Sequence, residues 1–222
     1  METIKLFSAP HKALRKIMAE FSVLAGQTNF SNQPEIEKLK ELGNVFFALL
    51  SLHTGTEDKI ILSALDARLP GASAHDKAEH VEIEKFQQEL ESEMQNLSTR
   101  TTQEEGYQFY LQVSKFQSIY LNHMLEEETV TQKMIWENLS ADEQLAVRIA
   151  IVQKMDPEIY ALWLKYMIPA QNEAENLPML GVIRMNMPPE RYTSLLQNLK
   201  EQMPAKTFGS LMEKVTASAF QN

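Results

Sequence analysis

The chain has 222 residues, enough for one ordinary domain with an appendage or for two small ones, and enough to bury a core without covalent staples. It has no cysteine, which removes disulfides, thiolate metal sites, iron–sulfur clusters and a cysteine nucleophile, so any metal must be held by histidine and carboxylate. A formal charge of −9 with scattered Lys and Arg offers no basic stripe for nucleic acid.

Met1 to Lys12 lacks an apolar stretch long enough for a signal-peptide core. The longest apolar run, Val45 to Leu52, is interrupted by Ser51 and is too short to cross a bilayer. The expectation is a soluble, cytoplasmic protein with no membrane and no nucleic-acid partner. Only 7 glycines, no Asn-Gly or Asp-Gly hairpin signal, and long stretches of Glu, Lys, Leu, Ala and Gln predict an all-α chain without strands.

Breaks near Gln27 to Gln33, at Leu69-Pro70-Gly71 and around Ser98 to Thr102 divide the first part into helices over 9–26, 33–67, 74–97 and 103–138. Four long helices with short connections predict an antiparallel four-helix bundle. After Trp136 the units shorten. Ser140 with Glu143 makes a capping box, Asp156 precedes proline at a first helical position, and Pro188-Pro189 punctuates again. Short helices are expected over 140–155, 157–168, 172–186 and 189–219, the last broken near Pro204. The chain thus divides into a metal-binding bundle, 1–138, and a helical extension, 139–222, which has no histidine and supplies no ligand. No fixed-period repeat is evident.

All 5 histidines, His11, His53, His75, His80 and His123, lie in the bundle and spread over its four helices. His53 is followed by Glu57, and His123 by Glu127, so each of two helices presents an imidazole and a carboxylate one turn apart. Depth agrees. At ~1.5 Å rise per residue, His80 lies about 26 Å before the end of the third helix and His123 about 30 Å into the fourth, while His11 and His53 match to about a turn.

Pro10-His11-Lys12-Ala13-Leu14-Arg15, the His53/Glu57 pair, Ala78-Glu79-His80-Val81-Glu82-Ile83-Glu84 and the His123/Glu127 pair resemble a hemerythrin-type, HHE cation-binding domain over roughly residues 8–130. The resemblance implies a non-haem di-iron centre. His11 and His53 would bind one iron, His80 and His123 the other, with Glu57 and Glu127 bridging. Imidazole with carboxylate suits iron, and zinc or manganese is the alternative. Six protein ligands leave positions for a diatomic ligand, dioxygen or nitric oxide, or for peroxide. Ferritin-like sites are excluded, because no histidine here has a glutamate three residues before it. The third-helix His-x-x-x-His pair and the fourth-helix aspartate of the oxygen-carrying hemerythrins are absent, which disfavours a simple oxygen carrier.

Neighbouring residues admit two readings each. His75, about 140° around a helix from His80, ligates only from a preceding loop and is otherwise a solvated helix-start residue. Glu84 is either a group holding the His80 imidazole or a charged surface residue, Tyr120 either a hydrogen-bond donor to a bridging ligand or core filler, and Arg15 a partner of the site or a surface ion pair. Trp136, Trp163, Met167, Met179, Met185 and Met187 belong to a tail that resembles the helical extension of some bacterial family members. They suit a core first, and otherwise a lid over the bundle end or a homodimer surface. Two functions stay open: a di-iron protein that binds or senses oxygen, nitric oxide or iron, and a di-iron enzyme acting on peroxide or nitric oxide or donating iron in cluster repair.

Overall fold

The computed structural model describes residues 4–219, and every regular element among them is helical. Met1 to Thr3, where the Met1 to Lys12 segment begins, and the last three positions of the extension lie outside the described residues. No described helix is long and apolar enough to cross a membrane. The described chain forms two compact units, which meet in sequence at Lys154 and Met155.

In the first unit α1 spans Ser8–Gln27, α2 Gln33–Thr56, α4 Ala74–Asn96 and α5 Gln103–Glu126. Two π-helical turns, Glu57–Ile61 and Glu127–Thr131, carry α2 into α3 (Leu62–Arg68) and α5 into α6 (Gln132–Asn138). The long helices form because apolar residues recur at three- and four-residue spacing: Leu14, Ile17, Met18 and Phe21 on α1, and Phe109, Val113, Phe116 and Tyr120 on α5, are all buried. The α3–α4 link has Pro70 then Gly71 at φ 84°, with Ala72 N–H donating to Leu69 C=O at 3.1 Å, the pattern of a type II turn. Thr102 and Glu105 cap α5 reciprocally.

α1 packs on α2 and α5, and α4 packs on the same two, closing a ring of four. Lys40 reaches Gln95, Gln87 reaches Ser51, and His80 meets Asp58, so numbers rise along α2 as they fall along α4. The same reversal relates α4 to α5 through Phe86–Phe116 and His80–His123, and α1 to α5 through Phe21–Phe109 and His11–Glu128. A cluster of phenylalanines, Phe21, Phe46, Phe47 and Phe116, fills the middle. Gly43 lets α2 approach its neighbours there, since an added Cβ would collide with Met94 and Phe21.

One end of the ring is closed by Ile4–Phe7 and by α7 (Ala141–Lys154). Leu6 and Phe7 join Ile61, Leu65, Ile135, Leu139 and Val147 in a separate apolar cluster. The strap is tied down by Leu6 N–H donating to Gln132 at 2.7 Å and by Trp136 Nε1 donating to Ile4 C=O at 2.8 Å. The Ser140–Glu143 box starts α7 as the sequence requires, and Glu143 also pairs with Arg68.

The second unit contains α8 (Pro157–Ala170), α9 (Glu173–Asn186), α10 (Pro189–Gln202) and α11 (Ala205–Ala219). Asp156 caps α8 ahead of Pro157. Its core joins Leu164, Ile168, Leu180, Ile183, Leu195, Leu199, Leu211 and Val215, with Met167, Met179 and Met187 packed against them. Buried Asn176 donates to the Ile168 carbonyl at 2.9 Å, satisfying backbone near Pro169. Met185 is exposed, so among the tail methionines it is outside that core.

The two halves of the first unit repeat each other. Gln33, His53, Glu57 and Arg68 on one half correspond to Gln103, His123, Glu127 and Asn138 on the other, each 70 residues on, with π-turns at the same register. This corrects the expectation of no fixed-period repeat. Few of the matched side chains agree, which is why residue identity hides it.

Candidate metal centre

The four long helices, α1, α2, α4 and α5, each bury one histidine. His11, His53, His80 and His123 are all buried, as are Glu57 and Glu127 at the first positions of the two π-turns. A π-turn widens the helix by one residue, and such turns concentrate at functional sites. Here the widening leaves two consecutive carboxylates usable, Glu57 with Asp58 and Glu127 with Glu128.

The imidazoles pair. His11 Nε2 lies 2.9 Å from His53 Nε2, and His80 Nε2 lies 3.1 Å from His123 Nε2. Between the pairs sit the two carboxylates. Glu57 Oε1 is 3.1 Å from His53 and 3.6 Å from His11, while its Oε2 is 3.6 Å from His80. Glu127 Oε2 is 3.3 Å from His11, and its Oε1 is 3.4 Å from His123 and 3.5 Å from His80. Donors about 2.0–2.2 Å from a common ion lie roughly 3.0–3.6 Å apart, which is the spacing found. His11, His53, Glu57 and Glu127 make one group able to hold an ion, and Glu57, His80, His123 and Glu127 the other.

All four carboxylate oxygens of Glu57 and Glu127 are buried without a hydrogen-bond partner. Leaving buried charge unsatisfied is costly, and two carboxylates side by side repel. Cations between them remove both penalties, so the donor set fits a pair of metal ions.

Protonation in the metal-free site follows from the same crowding. Burial and the charge of Glu127 push the Glu57 carboxyl up, whereas Glu127, although buried, is held low by the imidazoles of His11, His123 and His80 that face it. Burial opposes charge on His11, but Glu127, Glu128 and Glu57 outweigh it and raise the imidazole to about 10. His80 rises to about 9 against the same burial, through Glu127, Glu57 and Asp58, and His123 also rises. Burial and the positive field of His11 keep His53 well below its usual value.

Three outer carboxylates orient the rings. His11 Nδ1 meets Glu128 at 2.9 Å, His80 Nδ1 meets Asp58 at 2.9 Å, and His123 Nδ1 meets Glu79 at 2.9 Å. Arg15 pairs with Glu128 in turn, Nη1 and Nη2 donating at 2.6 and 3.0 Å. Glu79 was named in the sequence only as part of the Ala78–Glu84 motif, and Asp58 and Glu128 were not singled out. The signal available was an acidic residue directly after each of Glu57 and Glu127. Glu84 is exposed, the surface reading. His75 is exposed in the first turn of α4 and lies outside the buried set. Tyr120 is buried with its ring edge-on to His123 and its hydroxyl beside Thr54. Burial, with the charges of Glu57 and Glu127, pushes that phenol well above its usual range.

An all-α chain with a buried cluster of four histidines and two glutamates, able to bind metal, defines the class. The chain belongs to the hemerythrin HHE cation binding domain family, whose model matches residues 2–135. It is 22% identical to an F-box/LRR-repeat protein 5 of Xenopus laevis over 220 residues, 99% of this chain and 31% of that protein. It is 28% identical to a BRUTUS-like zinc finger protein of Arabidopsis thaliana over 151 residues, 65% of this chain and 12% of that one. The chain spans less than a third of the length of these curated relatives.

Proposed function

We propose that the first unit is an antiparallel four-helix bundle holding two iron ions, with His11 and His53 on one, His80 and His123 on the other and Glu57 and Glu127 between them. The pair serves to bind or sense iron itself or a small ligand such as oxygen or nitric oxide, in the cytoplasm. The observation that carries this reading is the set of four orphaned carboxylate oxygens facing four imidazole nitrogens. When bound, the ions supply Lewis acidity and positions for a small ligand. Asp58, Glu79 and Glu128 hold three imidazoles with Nε2 inward, and such outer partners tune affinity as well as orientation. The Ile4–Phe7 strap and α7 keep water from one end of the site.

The other reading, a di-iron enzyme acting on peroxide or nitric oxide, draws on Tyr120, whose buried hydroxyl lies within the field of Glu57 and Glu127. Elemental analysis after anaerobic iron loading should find about two ions per chain, with zinc and manganese counted in the same samples. Fewer than about one would overturn the paired site. Oxygen evolution from hydrogen peroxide over many equivalents would move the function to the enzyme reading, and stoichiometric consumption supports the binding one.

A further inference from the structure

His75, Glu79 and Glu126 converge outside the buried centre, on the α4–α5 face. His75 Nε2 lies 3.1 Å from Glu126 Oε1 and 3.8 Å from Glu79 Oε1, and one donor atom from each residue falls within 4.8 Å of the other two. His75 is 62% exposed and the two glutamates about half that, so the group stands open to solvent. As a surface ion pair it stabilises little. As a ligand set it has the donor types of the buried sites with one imidazole fewer, one imidazole and two carboxylates, in a looser arrangement than the buried groups.

A second observation ties this group to the interior. Glu79 uses both oxygens: Oε1 faces His75, and Oε2 meets Nδ1 of His123 at 2.9 Å. Glu126 directly precedes Glu127, at the point where α5 gives way to the π-turn. One carboxylate therefore spans from the exposed imidazole to the back of a buried one, and the neighbouring residue of the other leads to a bridging position. The buried donors are at most 4% exposed, so an ion reaching them exchanges its water for protein ligands on the way in.

We propose that His75, Glu79 and Glu126 form an exchangeable outer site for a hydrated divalent cation, from which ions load the buried pair. Three protein ligands and an open hydration sphere make it weaker than the enclosed positions, which use four donors each. The loading role rests on the di-iron reading above; the outer site itself does not.

The test is a cobalt(II) titration of the metal-free full chain, with bound metal counted after equilibrium dialysis and uptake followed by visible absorption. The parent should take two ions tightly and a third at least ten-fold more weakly. His75→Ala, at an exposed position whose helical fold is checked by circular dichroism, should keep the tight pair, lose the third ion and load the pair several-fold more slowly. Glu126→Gln should weaken the third ion in the same direction. A parent that stops at two ions, or a third ion that survives in His75→Ala, would overturn the outer site. Loss of the third ion with unchanged loading would overturn its part in loading. No tight pair in the parent, with one weak ion lost in His75→Ala, would instead sink the di-iron reading and leave the outer site standing.

Discussion

Glu127 and Glu84 each stand four residues after a buried histidine, yet their surroundings assign them opposite weight. Glu127 is buried and lies within 3.5 Å of three imidazoles, whereas Glu84 is exposed. On the proposed paired site, removing a carboxylate that belongs to both donor groups would take away a ligand of each ion and the charge that offsets their repulsion. Glu127→Ala should therefore leave at most one weakly held ion per chain, and Glu84→Ala should match the parent in iron content and in the near-ultraviolet absorption of a coupled ferric pair. Asp58→Asn sits between these extremes. It keeps the shape beside His80 Nδ1 but weakens the acceptor, and loss of such a partner typically lowers metal affinity by about 10–100-fold. An intact paired spectrum in Glu127→Ala, with the signal lost in Glu84→Ala, would show that the third helix supplies the bridge.

The helices were legible in the sequence because their stop signals are local: Pro70-Gly71, the Thr102 cap and the Asp156-Pro157 start all fall where the chain turns. The six inward residues were legible too, since His53/Glu57 and His123/Glu127 follow helical spacing and all four helices reach one depth. The π-turns were not. They depend on an i→i+5 hydrogen bond, Glu57 C=O to Leu62 N–H and Glu127 C=O to Gln132 N–H, that no residue type specifies. Missing them hid Asp58 and Glu128, which reach their partners on α4 and α1 from the positions after Glu57 and Glu127. Close helix approach is likewise invisible until neighbours are known. Gly43 and Gly55 both lie within α2, but an added methyl meets Met94 and Phe21 at the first and only ordinary space at the second. Gly43→Ala should destabilise the fold by about 1–3 kcal/mol through overpacking. Gly55→Ala should stabilise it by roughly 0.5–1 kcal/mol through helix propensity. Urea unfolding of both variants decides this, and the same sign for the two would mean that the α1–α2–α4 contact is looser than it stands here.

Across the whole molecule, metal and protons compete for one buried set of donors, and the competition fixes how stability varies with pH. In the metal-free chain His11 titrates at about 10 and His80 at about 9, above the ordinary imidazole value of about 6.5. The folded state thus holds protons that the unfolded chain releases. That stabilisation is fully present below about pH 6.5 and is lost as pH rises through 9 to 10. Glu57, pushed up by burial and Glu127, adds in the same direction. Glu128 acts oppositely. Held down to about 2 by His11 and Arg15 against its partial burial, it contributes stability present above about pH 4.5 and lost as pH falls toward 2. The metal-free protein should accordingly be most stable between about pH 4.5 and 6.5 and soften toward pH 9. Ligation needs neutral imidazole and ionised carboxylate, so metal binding releases these protons and strengthens as pH rises. Thermal melts at pH 6, 7.5 and 9, with and without saturating zinc as a redox-inert probe, should show the gain in Tm on loading widening with pH. An unbuffered titration at pH 7 should show protons released on loading. A gain that narrows toward pH 9, or loading without proton release, would mean that the ions bind away from His11 and His80.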